Sequence, residues 1–415
     1  MPRTVRLLLV WALCAALGAP GPVVAGSGPP PTPVPPVGSP SPYPQSLDRP
    51  EATRRPPPLT AATAALVDLD GHRILYERRG GVRRPIASLT KIMTALLVLE
   101  STPLDERVTV SPRAAAELGS ELGLIAGERR TVEDLLYGLL LQSSNDAAIA
   151  LAEHVAGTVE RFVARMNRRA GRLGMRRTTF ASPNGLADLG RSTAHDLAIL
   201  TAAAYDDPVF VRIVRTRRRV IPAPTGPPRR IQSRNALLWL YPGAVGVKTG
   251  YTAAAGFCIV GAADRGHRRL AAVVLGAPGQ AWDDAASLLD FGFHNWKREV
   301  LVDAGTPLDP GRPVRVRGIE VPVKAGGAIV ALARPGADAR LRVQPDADLS
   351  LPVYEGARVG TVTGNVDGEL VGRVPLLAAA TVRISGGGGV SPDPGLPEIG
   401  EALWRLLRGL LDAIF

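Results

Sequence analysis

The hydrophobic and polar positions divide the chain into two regions with different periodicity. Over residues 59–297, strand-like apolar runs lie at both ends, and segments with apolar spacings of three and four lie between them. Over residues 299–385, apolar and polar residues alternate between glycine and proline turns. The pattern predicts an α+β layered domain in the first region and a small all-β domain in the second.

The first region begins with a predicted strand pair around the tight turn Asp70-Gly71, formed by Ala65-Leu-Val-Asp-Leu69 and Ile74-Leu-Tyr76. A helix is predicted to begin at Ser88, because apolar residues that follow it share one face. These residues are Leu89, Ile92, Met93, Leu96 and Leu97.

The next predicted helix begins at Thr131, which resembles a capping box with Asp134, and ends at Ser143-Ser-Asn145. Another helix is predicted over residues 146–156, so this short polar segment connects two helices. Two strands are predicted over residues 256–262 and 270–275, followed by a helix over residues 281–291.

Three short motifs follow one another along the first region: Ser88-Leu-Thr-Lys91, Ser143-Ser-Asn145 and Lys248-Thr-Gly250. The chain has 49 lysines and arginines, of which only four are lysines, and two of those four lie in the motifs. A desolvated lysine can release its proton, whereas an arginine in a protein cannot. Lys91 therefore marks a position where a base is needed.

The spacing of the first motif places Ser88 and Lys91 on one face of a helix, close enough to interact. A serine hydroxyl becomes a good nucleophile when a base removes its proton. Neutral Lys91 is predicted to be this base, provided that burial and a nearby cation lower its pKa.

The other two motifs supply groups for binding and proton transfer. Ser143 is predicted to relay protons between Lys91 and the leaving amine, and Asn145 to hold the substrate backbone or the lysine. Lys248 is predicted to favour neutral Lys91 and to attract a carboxylate, to which Thr249 donates its hydroxyl. Gly250 is expected to let a substrate strand approach the backbone.

These motifs and their surroundings resemble the penicillin-binding domain of low-molecular-mass D-alanyl-D-alanine carboxypeptidases. The resemblance extends over residues 59–297, and residues 299–385 resemble the C-terminal domain of the same family. The supporting stretches are Pro85-Ile-Ala-Ser-Leu-Thr-Lys-Ile-Met-Thr94, Leu141-Gln-Ser-Ser-Asn-Asp-Ala147, Phe180-Ala-Ser-Pro-Asn-Gly-Leu186, Ser192-Thr-Ala-His-Asp196 and Val247-Lys-Thr-Gly-Tyr-Thr252. The resemblance implies a β-lactamase/penicillin-binding fold, in which helices flank an antiparallel sheet.

The resemblance also implies a function, namely removal of the terminal D-alanine from peptidoglycan stem pentapeptides through an acyl-enzyme on Ser88. β-Lactams are the implied covalent inhibitors, and no metal or other cofactor is expected. Ser88 is then the nucleophile, Lys91 the general base and Ser143 the proton relay, while Lys248 and Thr249 bind the substrate carboxylate.

Two further roles follow from the resemblance. The backbone N–H groups of Ser88 and Tyr251 are expected to form the oxyanion hole. Arg234 matches a family arginine that helps to bind the carboxylate.

Other functions that use the same motifs are less compatible with the sequence. A class A β-lactamase needs a glutamate for deacylation, and Glu153 and Glu160 are the only glutamates between Asn145 and Lys248. The five histidines lack the ligand spacing of a zinc peptidase, and His195-Asp196 is interpreted as a helix-capping pair. A DD-endopeptidase acting on peptide crosslinks and a non-catalytic wall-binding or β-lactam-binding protein stay as alternatives.

The termini indicate export and attachment to a membrane surface. Residues 1–25 have the basic, apolar and small-residue parts of a signal peptide, and residues 26–58 are a proline-rich linker. Residues 386–396 form a glycine- and proline-containing linker before an amphipathic helix over residues 397–415, which is expected to lie on the outer face of the cytoplasmic membrane.

Charge and cysteine content agree with an exported protein that carries no disulfide. Removal of the signal leaves Cys258 alone, in an apolar run that predicts burial. The net charge of +11 is spread over scattered arginines without a nucleic-acid motif. An anionic wall or lipid surface is therefore the expected partner, and nucleic acid is not.

Overall fold

The computed structural model describes residues 55–186, 189–222, 228–279, 281–308 and 314–383. The predicted signal peptide (1–25), nearly all of the first linker (26–58), the second linker (386–396) and the amphipathic helix (397–415) lie outside the described residues. Among the helices of the described ranges, none is long and apolar enough to cross a membrane.

The first region alternates strands and helices. Its strands are β1 (Thr63–Asp68), β2 (Arg73–Arg78), β3 (Arg107–Thr109), β4 (Arg129–Thr131), β5 (Arg218–Ile221), β6 (Arg229–Gln232), β7 (Ala244–Thr252), β8 (Gly256–Asp264) and β9 (Arg269–Ala277). Its helices are α1 (Lys91–Leu99), α2 (Pro112–Ala115), α3 (Val132–Tyr137), α4 (Asn145–Ala156), α5 (Val159–Arg172), α6 (Ala194–Tyr205), α7 (Pro208–Val214), α8 (Leu237–Leu240) and α9 (Ala281–Asn295).

A five-stranded antiparallel sheet in the order β2-β1-β9-β8-β7 forms the centre of this region. Successive residues of a strand point to opposite faces, and here both faces are covered. Leu66 packs in the cluster that contains α9, whereas its neighbours Ala65 and Val67 pack in the cluster that contains α1, α4 and α6. The predicted α+β fold, with an antiparallel sheet flanked by helices, is confirmed.

The strand pair and the helix ends agree with the sequence pattern, with one change of geometry. β1 and β2 pair around the predicted turn, and Thr131 caps α3 by accepting a 3.1 Å hydrogen bond from Asp134 N. The helix predicted to start at Ser88 begins instead as a 3₁₀ turn, Ala87–Thr90, and becomes α-helical at Lys91.

The second and third motifs lie in a helix connection and in a strand, respectively. After α3, a π turn over Gly138–Gln142 ends at Ser143, which adopts a left-handed conformation with φ of 67°. α4 then starts at Asn145, so the connection between two helices is as predicted. Lys248-Thr-Gly250 lies within β7, a strand that the sequence pattern did not predict, ahead of the two predicted strands, which are β8 and β9.

The second region is built of β-strands within the described residues. They are β10 (Lys297–Val302), β11 (Pro307–Leu308), β12 (Val314–Val316), β13 (Ile319–Val321), β14 (Val323–Ala325), β15 (Ile329–Ala333), β16 (Ala339–Pro345), β17 (Arg358–Val366) and β18 (Glu369–Ala378). β11, β14, β18, β17 and β16 form an antiparallel sheet in that order, and its core consists of valine, alanine, isoleucine and leucine.

The two regions meet at β10, which starts at Lys297 and pairs with β15. This strand therefore crosses the predicted domain limit. Leu332 of β15 packs in the α9 cluster, and the Arg334 guanidinium lies 4.2 Å from the Trp296 ring centre. Arg73 of the first region also forms a 3.4 Å ion pair with Glu369 of the second.

Candidate active site

The 3₁₀ turn at the start of α1 brings the first motif together. Residues i and i+3 eclipse one another in a 3₁₀ turn, so the side chains of Ser88 and Lys91 meet. The Lys91 Nζ atom lies 2.9 Å from the Ser88 Oγ atom. The predicted serine–lysine contact therefore exists, although a tighter turn than an α-helix produces it.

Two further acceptors surround the Lys91 amine. Lys91 Nζ lies 2.8 Å from Asn145 Oδ1 and 2.8 Å from the backbone carbonyl of Asn184. The Asn145 amide is oriented by its other end, because Asn145 Nδ2 donates to the Leu118 carbonyl at 2.8 Å. A neutral amine has two N–H bonds and one lone pair. With the N–H bonds directed to these two oxygens, the lone pair is left for the hydroxyl proton of Ser88.

Burial favours the neutral form of Lys91. The side chain is completely buried, and this desolvation lowers its pKa to about 7, with the charge of Arg234 as the next cause. The carboxylates of Glu117 and Asp146 act in the opposite direction and raise the pKa. Lys248 was predicted to be the cation that favours neutral Lys91. In the structure, the cation that lowers the Lys91 pKa is Arg234.

Lys248 lies in β7 and is also buried, with its Nζ atom 2.7 Å from the Thr249 carbonyl oxygen. Burial lowers its pKa well below the usual value, and the charges of Lys91 and Arg234 lower it further. These three basic side chains therefore act on one another electrostatically at a single site. Such a concentration of basic groups attracts an anionic ligand.

Two glycines allow other segments to approach Ser88. A Cβ atom on Gly250 would lie 2.9 Å from Ser88 N, so β7 can pass beside this backbone only with glycine at that position. Gly185 has φ of +78°, and a Cβ atom there would lie 2.0 Å from the Ala87 carbonyl oxygen. Both glycines therefore allow a neighbouring segment to lie directly against the turn that carries Ser88.

The remaining predicted site residues lie at different depths. Ser143 is buried, but its hydroxyl makes no hydrogen bond to another described residue in this structure. Thr249 is half-buried beside Lys248. Tyr251 is 40% exposed and packs against its cross-strand partner Phe257, with ring centres 4.6 Å apart. Arg234 is exposed, and its Nη1 atom donates to Ser120 Oγ at 2.6 Å.

The structure also adds residues that motif analysis did not assign to the site. Asn184 supplies the carbonyl that contacts Lys91, and Glu117 accepts a 2.7 Å hydrogen bond from Asn184 Nδ2. Asp146 accepts from Leu122 N at 3.0 Å and so holds the loop above the site. The dipeptide Asn184-Gly185 is a recognisable turn signal, whereas nothing in the local sequence marks Glu117.

The alternative catalytic groups lie elsewhere. His195 Nδ1 contacts Glu77 Oε1 at 2.7 Å on the surface, and the Asp196 carboxylate accepts from Arg177 N at 2.9 Å. The cap of α6 is Thr193, which accepts from Asp196 N, so the interpretation of His195-Asp196 as the capping pair is wrong. Glu153 accepts from Ser111 Oγ at 2.5 Å, away from Lys91. Within the described ranges, no group of three histidine, cysteine, aspartate or glutamate side chains is arranged to hold a metal.

Comparison with known proteins identifies the family. The sequence profile of D-alanyl-D-alanine carboxypeptidases, peptidase family S11, matches residues 50–279. The chain belongs to this family. It is therefore a serine hydrolase of the low-molecular-mass penicillin-binding type, whose members act on peptidoglycan stem peptides and bind β-lactams.

Individual relatives cover most of the described chain. The D-alanyl-D-alanine carboxypeptidase DacF of Bacillus subtilis is 30% identical over 337 residues, which is 79% of this chain and 87% of that protein. The D-alanyl-D-alanine endopeptidase of Escherichia coli is 32% identical over 233 residues, or 55% of this chain and 75% of that protein. The structure of penicillin-binding protein 5 from Haemophilus influenzae is 28% identical, with a TM-score of 0.64, and the alignment covers 80% of this chain and 99% of that one.

Proposed function

We propose that this S11 enzyme is a serine-type D-Ala-D-Ala carboxypeptidase that removes the terminal D-alanine from peptidoglycan stem pentapeptides. The observation that carries the proposal is the buried Lys91 amine, 2.9 Å from the Ser88 hydroxyl. Its pKa of about 7 leaves a large neutral fraction at neutral pH. An arginine-rich chain has thus kept a lysine where a base is required.

In the acylation step, Ser88 Oγ attacks the carbonyl carbon of the penultimate D-alanine while its proton passes to Lys91 Nζ. The new C–O bond forms a tetrahedral intermediate, whose oxyanion is bound by the backbone N–H groups of Ser88 and Tyr251 in this proposal. The C–N bond to the terminal D-alanine then breaks. The amine leaves with a proton that comes from Lys91, with the Ser143 hydroxyl as the proposed relay.

Substrate binding uses the basic side of the site. The terminal carboxylate of the substrate binds beside Lys248, Thr249 and Arg234, and its negative charge favours protonated Lys248. Lys91 then has two cationic neighbours, which keep it neutral. In the deacylation step, water attacks the ester carbonyl, Lys91 accepts a proton from the water, and Ser88 recovers its hydroxyl as the tetrapeptide leaves.

The decisive experiment combines labelling and substrate cleavage. Mass spectrometry after penicillin treatment is expected to find an adduct on the Ser88 peptide, because a β-lactam mimics the D-Ala-D-Ala end and leaves a slowly hydrolysed ester. A pentapeptide ending in D-Ala-D-Ala is expected to lose one D-alanine. An adduct on another residue, or the absence of any adduct, would contradict the assignment of Ser88.

A second candidate function is cleavage of peptide crosslinks, and the similarity to an E. coli endopeptidase supports it. The same acylation chemistry serves both reactions, with a different leaving amine. Incubation with a crosslinked muropeptide dimer distinguishes them. Faster cleavage of the dimer than of the pentapeptide would favour the endopeptidase.

We also propose that the enzyme is exported and attached to the outer face of the cytoplasmic membrane by residues 397–415. The support is the sequence alone, in which Leu403, Leu406, Leu407 and Leu410 share one face of an amphipathic helix. Truncation after Ser385 is expected to abolish binding to anionic vesicles and to leave cleavage of soluble pentapeptide unchanged. Unchanged vesicle binding would contradict this attachment.

A further inference from the structure

The segment Glu117-Leu118 contacts both residues that provide the oxygen acceptors of Lys91. The Glu117 Oε1 atom accepts from Asn184 Nδ2 at 2.7 Å, and the backbone carbonyl of Leu118 accepts from Asn145 Nδ2 at 2.8 Å. The oxygens of these two asparagines that face Lys91 both lie 2.8 Å from its Nζ atom. One short segment thus contacts the two asparagines that accept two of the three hydrogen bonds of the Lys91 amine.

The Asn184 side chain is buried and depends on Glu117. Asn184 is 2% exposed, and its Oδ1 atom accepts from Leu186 N at 3.0 Å. Glu117 provides the acceptor for its amide hydrogens, so removal of the carboxylate would leave a buried donor unpaired. Because the backbone carbonyl of the same residue contacts Lys91, displacement of Asn184 would move the lysine as well.

Glu117 also contributes a charge at the site. The charged groups that act on the Lys91 pKa are Arg234, which lowers it, and Glu117 and Asp146, which raise it. The buried Lys248 lies at the same site, and Lys91 and Arg234 lower its pKa. The Asp146 carboxylate accepts hydrogen bonds from two backbone N–H groups of the loop above the site, those of Leu122 and Leu124. Glu117 is therefore the acidic group whose side chain contacts a direct partner of the lysine.

We propose that Glu117 is a positioning residue for acylation, which holds Asn184 against Lys91 and balances the positive charge of Arg234. This inference rests on the proposed role of Lys91 as the base for Ser88. Glu117 does not contact the reacting atoms. It acts through the position and the protonation equilibrium of Lys91.

Two substitutions separate these contributions. Glu117→Gln keeps an oxygen that accepts from Asn184 Nδ2 but removes the charge, whereas Glu117→Ala removes both. Glu121→Gln is the matched control, because it removes an exposed carboxylate four residues further along the same loop. The one hydrogen bond described for Glu121 uses its backbone carbonyl, which accepts from the Gln142 side chain, so the substitution leaves it in place.

The primary measurement is the pH dependence of acylation by a fluorescent penicillin. Loss of the negative charge lowers the Lys91 pKa, so Glu117→Gln is expected to move the acidic limb to lower pH by about one unit. Its plateau rate is expected to stay within about twofold. Glu117→Ala is expected to show the same shift and about a tenfold lower plateau, and Glu121→Gln neither change.

A second measurement does not depend on activity. The chain has only four lysines, so NMR titration of lysine labelled with ¹³C at Cε yields four signals, and Lys91→Arg assigns the one of interest. The titration midpoint of Lys91 is expected to fall in Glu117→Gln and to stay unchanged in Glu121→Gln.

The outcomes separate this inference from the proposed function. If wild-type Ser88 is acylated but Glu117→Gln leaves both the acidic limb and the lysine midpoint unchanged, only the role of Glu117 is wrong. A lower plateau without a shift would indicate a purely structural residue and would also overturn it. If penicillin does not acylate wild-type Ser88, the proposed function fails, and the inference fails with it.

Discussion

The two regions of the molecule differ in what they bury. Within the described residues, every buried polar or charged side chain lies between Thr63 and Asp284, among them Lys91, Asn145 and Lys248. The core of the β region is made of aliphatic residues alone. Burial of a polar group costs free energy unless a partner compensates it. The first region bears this cost at the candidate site and at some other positions, whereas the core of the second avoids it by using apolar side chains.

The lysines show the same difference. Lys91 and Lys248 are buried among residues of the site, while Lys324 of the β region forms a 3.0 Å ion pair with Glu355 at the surface. A surface pair of this kind contributes about 0–1 kcal/mol. The same residue type is therefore buried at the candidate site in one region and forms a surface ion pair in the other, and the following experiments test whether the two positions also differ in function.

The largest effect is expected for Lys91→Arg. A guanidinium stays protonated and cannot accept the Ser88 proton, so acylation by a fluorescent penicillin should fall by about 10²-fold or more. Lys248→Arg keeps the charge and should retain part of the binding, with a poorer fit. Lys324→Arg is the matched control in the β region and should leave acylation unchanged. Near-normal acylation of Lys91→Arg would disprove lysine as the base.

Gly250→Ala should have the next largest effect. Its new Cβ atom would lie 2.9 Å from Ser88 N, so either β7 or the nucleophile must shift. Misplacement of reacting groups is costly, and we expect acylation to fall at least about tenfold. Gly171→Ala lies in α5 with open space around it and should acylate normally, with about 0.5–1 kcal/mol of added stability. Equal rates for both variants would refute the close approach of β7.

A core substitution in the β region should change stability without changing chemistry. Val362 is completely buried in the aliphatic core, so Val362→Ala should lower the free energy of unfolding by about 2 kcal/mol. Chemical denaturation measures this loss, and penicillin acylation of the native protein should proceed at the wild-type rate. A reduced acylation rate at a temperature where the variant is folded would mean that the two regions are functionally coupled.

The smallest effect is expected for Ser144→Ala, which removes a buried polar group that has no assigned role. The Ser144 hydroxyl is buried and has no hydrogen-bond partner in the described part of the chain, and it makes no capping bond to α4. Ser144→Ala should therefore raise the free energy of unfolding by about 1 kcal/mol. Lower stability, measured by thermal and chemical unfolding, would show that this hydroxyl has a partner that matters.

Much of the site could be predicted because its signals are local. The spacing of Ser88 and Lys91 already requires that the two side chains lie near each other on any helical turn. The polar segment Ser143-Ser-Asn145 interrupts a helical pattern, which places it between two helices. Alternation of apolar and polar residues likewise predicted the β region.

Other features were decided by tertiary structure, because they depend on distances between segments that are far apart in sequence. Glu117 reaches Asn184 across 67 positions, and Arg234 acts on Lys91 from another part of the chain. The pKa of Lys91 results from burial and from three charged neighbours, Arg234, Glu117 and Asp146, which no local pattern encodes. The sequence by itself thus determined which motif residues form the candidate site, whereas the packing of distant segments determined the pKa of Lys91, because desolvation and charge interactions arise only when those segments meet.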